Sequence, residues 1–287
     1  MRAIHALRSA IYVLFLALTV IPWATAVLVI SIFARGNVVY WSCVGWLRLS
    51  IWGAKVICGV HARLHGFEHL PDSPVVLLPK HQSTWETLAF PGLMPHPLCY
   101  VFKRELLYIP FFGWAMARMD MIHIDRSKRS QAWKLVEAQG REFMNKGHWV
   151  IMFPEGTRAA RGERGAELMA RGHWVIMFPE GTRAPRGGKG HYKTGGTRLA
   201  VETGRPVLPI AVTSARCWPR KSFVLRPGVI DVSIGTPIAS TGREPAELMR
   251  EVEAWIEGEM RRLDPEAYPA APGAGAPAAG MPAAGPR

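Results

Sequence analysis

From Ser9 to Ala34 the chain runs for 26 residues without a charge, rich in Leu, Val, Ile and Ala. As a helix, a run of that length crosses a hydrocarbon core of roughly 30 Å. Pro22 divides it, so a kinked span and a re-entrant helical hairpin are both compatible with the pattern. A secretory signal peptide is the rival reading: MRAIHALR gives a basic start, Ile11 to Ile21 an apolar stretch and Ala24-Thr25-Ala26 a cleavage site. Apolar sequence continuing well past that site favours a membrane helix. From Val38 to Val60 the sequence is apolar again, interrupted by Arg48 and Lys55 and carrying Trp41, Trp46 and Trp52. Trp beside basic residues suits a helix lying in the headgroup layer, with an ordinary buried core helix as the alternative.

Beyond His61 the spacing shortens. VVLL (Val75 to Leu78), MIHI (Met121 to Ile124), WVIMF, VLPIAV (Val207 to Val212) and VIDVSI (Val229 to Ile234) read as buried strands. They alternate with helical patterns after Ser83 and in SQAWKLVEAQGREFM. This predicts an α/β domain with a largely buried sheet flanked by helices, preceded by N-terminal membrane helices. A last helix starts at Pro245, with Leu248, Val252, Trp255, Ile256 and Met260 at helical spacing. After Asp264 the Pro/Gly/Ala tail is expected to be disordered, because it has too little to bury. The predicted organisation is 1–60 membrane-associated helices, 61–264 a single domain, and 265–287 tail.

Charge narrows the partners. The net charge is +13; residues 1–60 carry Arg2, Arg8, Arg35, Arg48 and Lys55 and no acid, and most of the remaining excess falls on the middle of the chain. An anionic partner follows, such as a phosphorylated substrate or an anionic membrane face. Nucleic acid is not expected, since the basic residues lack aromatic interleaving and a nucleic-acid motif. Cys43, Cys58, Cys99 and Cys217 have no C-x-x-C spacing, which reads as reduced thiols in a reducing compartment. His61, His65 and His69 recur every fourth residue, but Gly66 and Pro71 predict strand and turn there, so no metal site is expected. YIPFFGW (Tyr108 to Trp114) reads as core, or more sharply as a shallow membrane contact.

Two stretches carry chemistry. PKHQSTWET (Pro79 to Thr87) follows a strand and feeds a helix, which puts its side chains at the sheet's carboxyl edge. His81 there suits a general base near neutral pH, and Glu86 is placed to orient it. Ser83 to Glu86 equally reads as a capping box, with Ser83 as N-cap. The second stretch is FPEGTR, where Pro stops a strand and a carboxylate, a glycine, a hydroxyl and a guanidinium gather in one turn. A guanidinium fork beside backbone N–H groups suits a phosphate, though a plain turn with a surface ion pair reads the same way.

The order of these motifs resembles the 1-acyl-sn-glycerol-3-phosphate acyltransferase family. His81 with an acid at Glu86, then Phe102-Lys103-Arg104-Glu105-Leu106 followed by IPFFGW, then FPEGTR, then RPVLPIAV (Arg205 to Val212) appear in sequence, with HIDR and KTGG also fitting. The resemblance covers roughly residues 64–264 and implies a glycerolipid-acyltransferase-type α/β fold. It implies transfer of an acyl chain from acyl-CoA or acyl carrier protein to the sn-2 hydroxyl of lysophosphatidic acid, giving phosphatidic acid. Membrane lipids become the setting, a bacterial inner membrane with the domain on its cytoplasmic side the location, and neither metal nor bound cofactor is implied. Carried onto this chain, the roles make His81 the base, Lys103 and Arg104 partners of the acceptor phosphate together with the Arg of EGTR, and the Glu and Gly of EGTR the shapers of that site. The family's usual acid is Asp, so Glu86 is one methylene longer. Alternatives are an acceptor such as a lyso-ornithine lipid, or a non-catalytic protein binding anionic lipid.

GHWVIMFPEGTRA occurs twice, at Gly147 to Ala159 and at Gly172 to Ala184, within a 25-residue duplication spanning about 140–187. Two copies are too few for a solenoid, so this is an internal duplication or an error in the reported sequence. One site then has two candidates: Glu155, Gly156, Thr157 and Arg158, or Glu180, Gly181, Thr182 and Arg183. The second keeps the shorter path to KTGG and VLPIAV and is the expected occupant. Residues 147–172 are expected to loop out or to form an extra short helix and strand.

Overall fold

The computed structural model describes residues 1–73, 75–95, 98–103, 107–118, 122–124, 149–152 and 175–269. Among these, eight strands form one sheet in the order β1-β8-β7-β2-β6-β5-β3-β4. They are β1 Val60–His65, β2 Val76–Pro79, β3 Leu98–Lys103, β4 Ile122–Ile124, β5 Trp149–Met152, β6 Val175–Met177, β7 Val207–Val212 and β8 Gly228–Ile234. Every neighbouring pair is parallel except β7 with β8. The carboxyl ends of β2, β6, β5 and β3 therefore share one edge.

Both faces of the central strands are covered, which is why they read as unbroken apolar runs. Val75, Leu77, Ile176, Phe178, Leu208, Ile210 and Val212 pack in one cluster with Trp85 and Phe90. Val76, Leu78, Met177, Val207 and Ala211 pack in another with Leu248, Val252, Ile256 and Met260. The period of two thus sends alternate residues of one strand to different layers. The first layer holds α1 Arg2–Phe33, α2 Asn37–Cys58 and α3 Trp85–Leu93. The second holds α5 Gly195–Thr203 and α6 Pro245–Leu263, which is N-capped by the Glu244 carboxylate with Pro245 behind it. The short helix α4, Phe112–Met116, rests on α1, where Phe111 and Ala115 meet Ala24 and Val27.

Of the two readings open for the N-terminal segment, a single long helix is the one present. α1 runs unbroken through Pro22, and the chain reverses only at residues 34–36 to begin α2. The hairpin is α1 against α2, and its turn is not at the proline. Trp23 Nε1 donates to the Ser42 carbonyl at 2.8 Å and Trp46 Nε1 to Thr19 Oγ1 at 3.2 Å, while Tyr12 Oη donates to the Ser50 carbonyl at 3.1 Å. Ser9 Oγ accepts the Leu225 N–H at 2.9 Å, so α1 is docked on the α/β domain. Ile4, Leu7, Ile11, Leu14, Leu18 and Ile21 form an exposed stripe at three- and four-residue spacing. α2 buries Val39, Tyr40, Val44 and Ala54, as a core helix does, whereas Trp52 and Val56 face outward.

The packed domain also continues past Asp264. Arg186 grips the Asp264 carboxylate with two hydrogen bonds of 2.8 and 2.7 Å, and Tyr268 is buried. The segment SQAWKLVEAQGREFM and residues 270–287 lie outside the described residues.

Candidate active site

The alternation along β2 decides where its last side chains go. Lys80 follows Val76 and Leu78 to the α6 side, and His81 follows Leu77 to the α3 side. The His81 ring lies 4.2 Å from the Phe178 ring, centroid to centroid, and is almost wholly buried. Its Nδ1 stands 3.6 Å from Glu86 Oε2, an ion-pair contact longer than a hydrogen bond. Catalytic hydrogen bonds are often this long until substrate is bound.

Glu86 is fully buried and held from four directions. Its carboxylate accepts the Gln82 N–H at 3.1 Å, the Ser83 N–H at 2.9 Å and the Ser214 hydroxyl, and faces the imidazole. The expected capping box is present in altered form. α3 begins at Trp85 with Thr84 as N-cap; Ser83 Oγ accepts the Trp85 N–H at 2.9 Å, and Glu86 returns to the Ser83 N–H. Capping and contact with His81 therefore coexist in one carboxylate.

The second FPEGTR copy lies directly against this turn. Glu180 Oε2 accepts the His81 N–H at 3.3 Å, and the Ala184 N–H donates to the His81 carbonyl at 2.8 Å. Gly181 adopts φ 68°, a left-handed conformation in which a glycine is needed. Thr182 is exposed. Arg183 Nη1 donates to Thr84 Oγ1 at 3.0 Å, which fixes the guanidinium beside the start of α3, and Arg220 Nη1 donates to the Arg183 carbonyl at 2.8 Å. His81, Glu86, Glu180, Gly181 and Arg183 are thus gathered within one pair of turns. Lys103 ends β3 on the same sheet edge, two strands from β6. Arg104 and the first-copy residues Glu155, Gly156, Thr157 and Arg158 lie outside the described residues.

The duplication itself is legible in the sheet. β5 lies beside β6 with Val150 opposite Val175, Ile151 opposite Ile176 and Met152 opposite Met177, so equivalent residues of the two copies pair with one another. The duplicated segment has contributed an extra strand, and that strand separates β6 from β3.

Beneath this site lies a set of residues that sequence reasoning missed. Lys80 is completely buried, with its Nζ donating to Glu257 at 2.7 Å and to Glu180 at 3.2 Å. Tyr192 Oη donates to the same Glu257 oxygen at 2.8 Å, and Gln82 Nε2 donates to Tyr268 Oη at 2.5 Å. Burial, followed by the Glu180 and Glu257 carboxylates, pushes the Tyr192 phenol far above its ordinary value, and burial pushes Tyr268 up to about 12. One hint existed: Glu257 interrupts the apolar arc of α6 next to Ile256.

Elsewhere, His65 Nε2 bonds Asp231 at 2.9 Å and His69 Nδ1 bonds the Ile234 carbonyl at 2.9 Å, and His61 lies on the β1 strand rather than on a helix. Among the described residues no group of His, Cys, Asp or Glu is arranged to hold a metal ion.

A family model described as Acyltransferase matches residues 61–167 and 160–213, two overlapping pieces that each contain one FPEGTR copy. The 1-acyl-sn-glycerol-3-phosphate acyltransferase of Pseudomonas aeruginosa is 38% identical over 269 residues, covering 92% of this chain and 95% of that protein. The protein of the same name from Salmonella typhimurium is 25% identical, covering 75% of this chain and 77% of its own length. The crystal structure of the 1-acyl-sn-glycerophosphate (LPA) acyltransferase PlsC from Thermotoga maritima superposes with a TM-score of 0.65 at 22% identity, over 92% of this chain and 98% of that one, so the two share a fold.

Proposed function

The chain belongs to the 1-acyl-sn-glycerol-3-phosphate acyltransferase family, and from that premise we propose that it acylates the sn-2 hydroxyl of lysophosphatidic acid to give phosphatidic acid. The observation that carries the reading is the meeting of His81 and Glu86 with the Glu180–Arg183 turn at one sheet edge. His81 takes the proton of the acceptor hydroxyl as its oxygen attacks the thioester carbonyl, and Glu86 stabilises the imidazolium that forms. The imidazolium then returns the proton to the departing thiolate. Arg183 holds the acceptor phosphate together with Lys103 and Arg104. Neighbouring strands lie about 4.8 Å apart, so the end of β3 stands about 10 Å from β6.

The thioester donor is acyl-CoA or acyl carrier protein. It brings its acyl group already activated, so the chemistry asks for no metal or bound cofactor. Glu180 and Gly181 shape the turn rather than touch substrate: the carboxylate is wholly engaged with Lys80, His81 and Gly190. α1 is long and apolar enough to cross a membrane, yet it packs along the domain through α2 and α4. We place the hairpin in the membrane surface with the Ile4-to-Ile21 stripe in the acyl region, and Tyr108, Ile109 and Trp114 as a second exposed apolar contact. Activated acyl donors are made in the cytosol, which supports a domain on the cytoplasmic side of a bacterial inner membrane. The test is complementation of a strain conditionally deficient in this acyltransferase: the wild-type gene should restore growth and His81→Ala should not. Growth with His81→Ala would overturn the mechanism.

A further inference from the structure

Directly beneath the His81 turn lies a buried cluster of one cation and two carboxylates. Lys80 has no exposed surface and is enclosed by Glu180, by Glu257 of α6, and by the rings of Tyr192 and Tyr268, each 5.8 Å from its ammonium. A buried lysine is tolerated only when paired. What distinguishes this pairing is what Glu180 does with its remaining capacity. Oε1 also accepts the Gly190 N–H at 2.8 Å, and Oε2 accepts the His81 N–H. One carboxylate therefore ties the turn that carries His81 to the turn that carries Arg183.

We propose that Lys80 is a positioning residue for acyl transfer, which keeps Glu180 locked to the His81 and Gly190 N–H groups by separating its charge from that of Glu257. The proposal rests on the acyl-transfer reading of His81. Lys80 adjoins His81 in the chain but points to the opposite layer, so it touches neither substrate nor the reacting atoms. Without its charge, Glu180 and Glu257 would share a water-poor site with no cation between them. Two carboxylates so placed do not both ionise comfortably: one takes up a proton or swings away. If Glu180 swings, His81 and Arg183 lose their common anchor, and a displacement of about 1 Å at reacting groups costs on the order of 10²-fold in rate. The other groups facing the cluster are the His81 backbone N–H, the two tyrosines, and Glu253, which is ion-paired with Lys189. Tyr192 remains a protonated donor to Glu257 throughout the working pH range.

The experiment compares full-length wild type, Lys80→Met, Glu257→Gln, and the double variant in membranes, with lysophosphatidic acid and an acyl-CoA, across pH 6 to 8. Lys80→Met is expected to lower kcat/KM by about 10²-fold at the alkaline end and about 10-fold at the acid end, where a proton replaces the missing cation. The double variant restores the wild-type net charge of the cluster, and should regain about 10-fold over Lys80→Met at pH 8 and lose the added pH dependence. Glu257→Gln alone should stay within about 3-fold of wild type. A role in packing alone predicts a loss uniform in pH and no recovery in the double variant, and that result overturns the proposal. If Lys80→Met fails to fold, the double variant must fold where the single one does not; a double variant equally insoluble overturns it too. His81→Ala runs alongside: turnover by that variant would sink the acyl-transfer reading, whereas a fully active Lys80→Met beside a dead His81→Ala sinks only the role given to Lys80.

Discussion

Glu86 Oε2 lies 3.6 Å from His81 Nδ1 while the same carboxylate takes two backbone N–H groups and the Ser214 hydroxyl. An acid held from so many sides cannot follow the imidazole; the imidazole must settle against it. Glu86 therefore fixes which ring nitrogen faces inward and leaves the other for the acceptor hydroxyl. Glu86→Gln keeps the shape but removes the charge that steadies the imidazolium, and should lower kcat by roughly 10² to 10⁴-fold with a smaller change in acceptor KM. Steady-state kinetics on solubilised enzyme decide this, and an unchanged kcat would reduce Glu86 to a helix cap.

Ser214 gives a graded version of the same test. Ser214→Ala removes one of the donors to a buried carboxylate, which costs about 1–3 kcal/mol where a charged group is involved. The variant should melt earlier than wild type and turn over more slowly than it, yet remain far more active than Glu86→Gln. A Ser214→Ala enzyme as inactive as Glu86→Gln would mean that the hydroxyl itself takes part in the chemistry.

How much of this was visible in the chain depends on sequence distance. The strand VVLL and the turn holding His81 are contiguous, so apolar period and residue type located β2 and the His81 turn together. The second FPEGTR copy was preferable to the first because its path to β7 is short. By contrast, Ser214 reaches Glu86 across 128 positions and Glu257 reaches Lys80 across 177, and no local pattern encodes such a meeting. Of the two readings left open at Pro22, the re-entrant hairpin falls away for a related reason. Pro22 breaks an isolated helix, but α1 packs along α2 and α4, and tertiary packing overrides the local preference. Tyr268 escaped notice because the Pro/Gly/Ala composition of the tail begins only just after it.

The exposed stripe of α1 predicts a separable membrane function. Leu14→Asp with Leu18→Asp places two charges on the outward face, away from the buried Ser9, Tyr12, Ala24 and Val27. Each charge is expected to weaken insertion by about 2–3 kcal/mol. In cell fractionation the variant should move from the membrane pellet toward the supernatant while retaining its melting temperature in detergent. Continued tight membrane association would place the contact elsewhere.

A pH effect on stability is expected at the α6 end of the sheet. Hydrogen bonding by Arg262 holds the Glu259 carboxyl below its ordinary value, opposed by burial and helped by Ser233. A carboxyl whose folded value is lowered stabilises the fold above its unfolded value, near 4.5, and loses that contribution as pH falls through the folded value. Arg262 is largely exposed, so solvent screening limits the effect to about 1 kcal/mol or less. Arg262→Ala should lower Tm slightly at pH 7 and leave it unchanged at about pH 3; a deficit persisting at low pH would assign the loss to packing.

The duplication makes its own prediction, because its two halves are interchangeable at the junction. Excising residues 147–171 joins Lys146 to Gly172 and leaves one GHWVIMFPEGTRA in an otherwise unaltered chain. β5 now stands between β6 and β3, and β5 and β6 carry the same residues in the same register. A single WVIM strand therefore presents to β2 the edge that β6 presents and to β3 the edge that β5 presents, so the sheet should close with one strand fewer. Because Glu180 and Arg183 remain, the excised enzyme should keep acyl transfer, and β3 with Lys103 should move about 4.8 Å closer to Arg183. That approach should lower the KM for lysophosphatidic acid without changing the dependence on His81. The matching point variants separate the copies: Arg183→Ala should raise the acceptor KM by about 10 to 100-fold and Arg158→Ala by no more than about 2-fold, since a charge-assisted phosphate contact contributes about 1.5–3 kcal/mol. The reverse ranking of the two arginines would assign the acceptor site to the first copy, and loss of activity on excision would show that the sheet needs the extra strand.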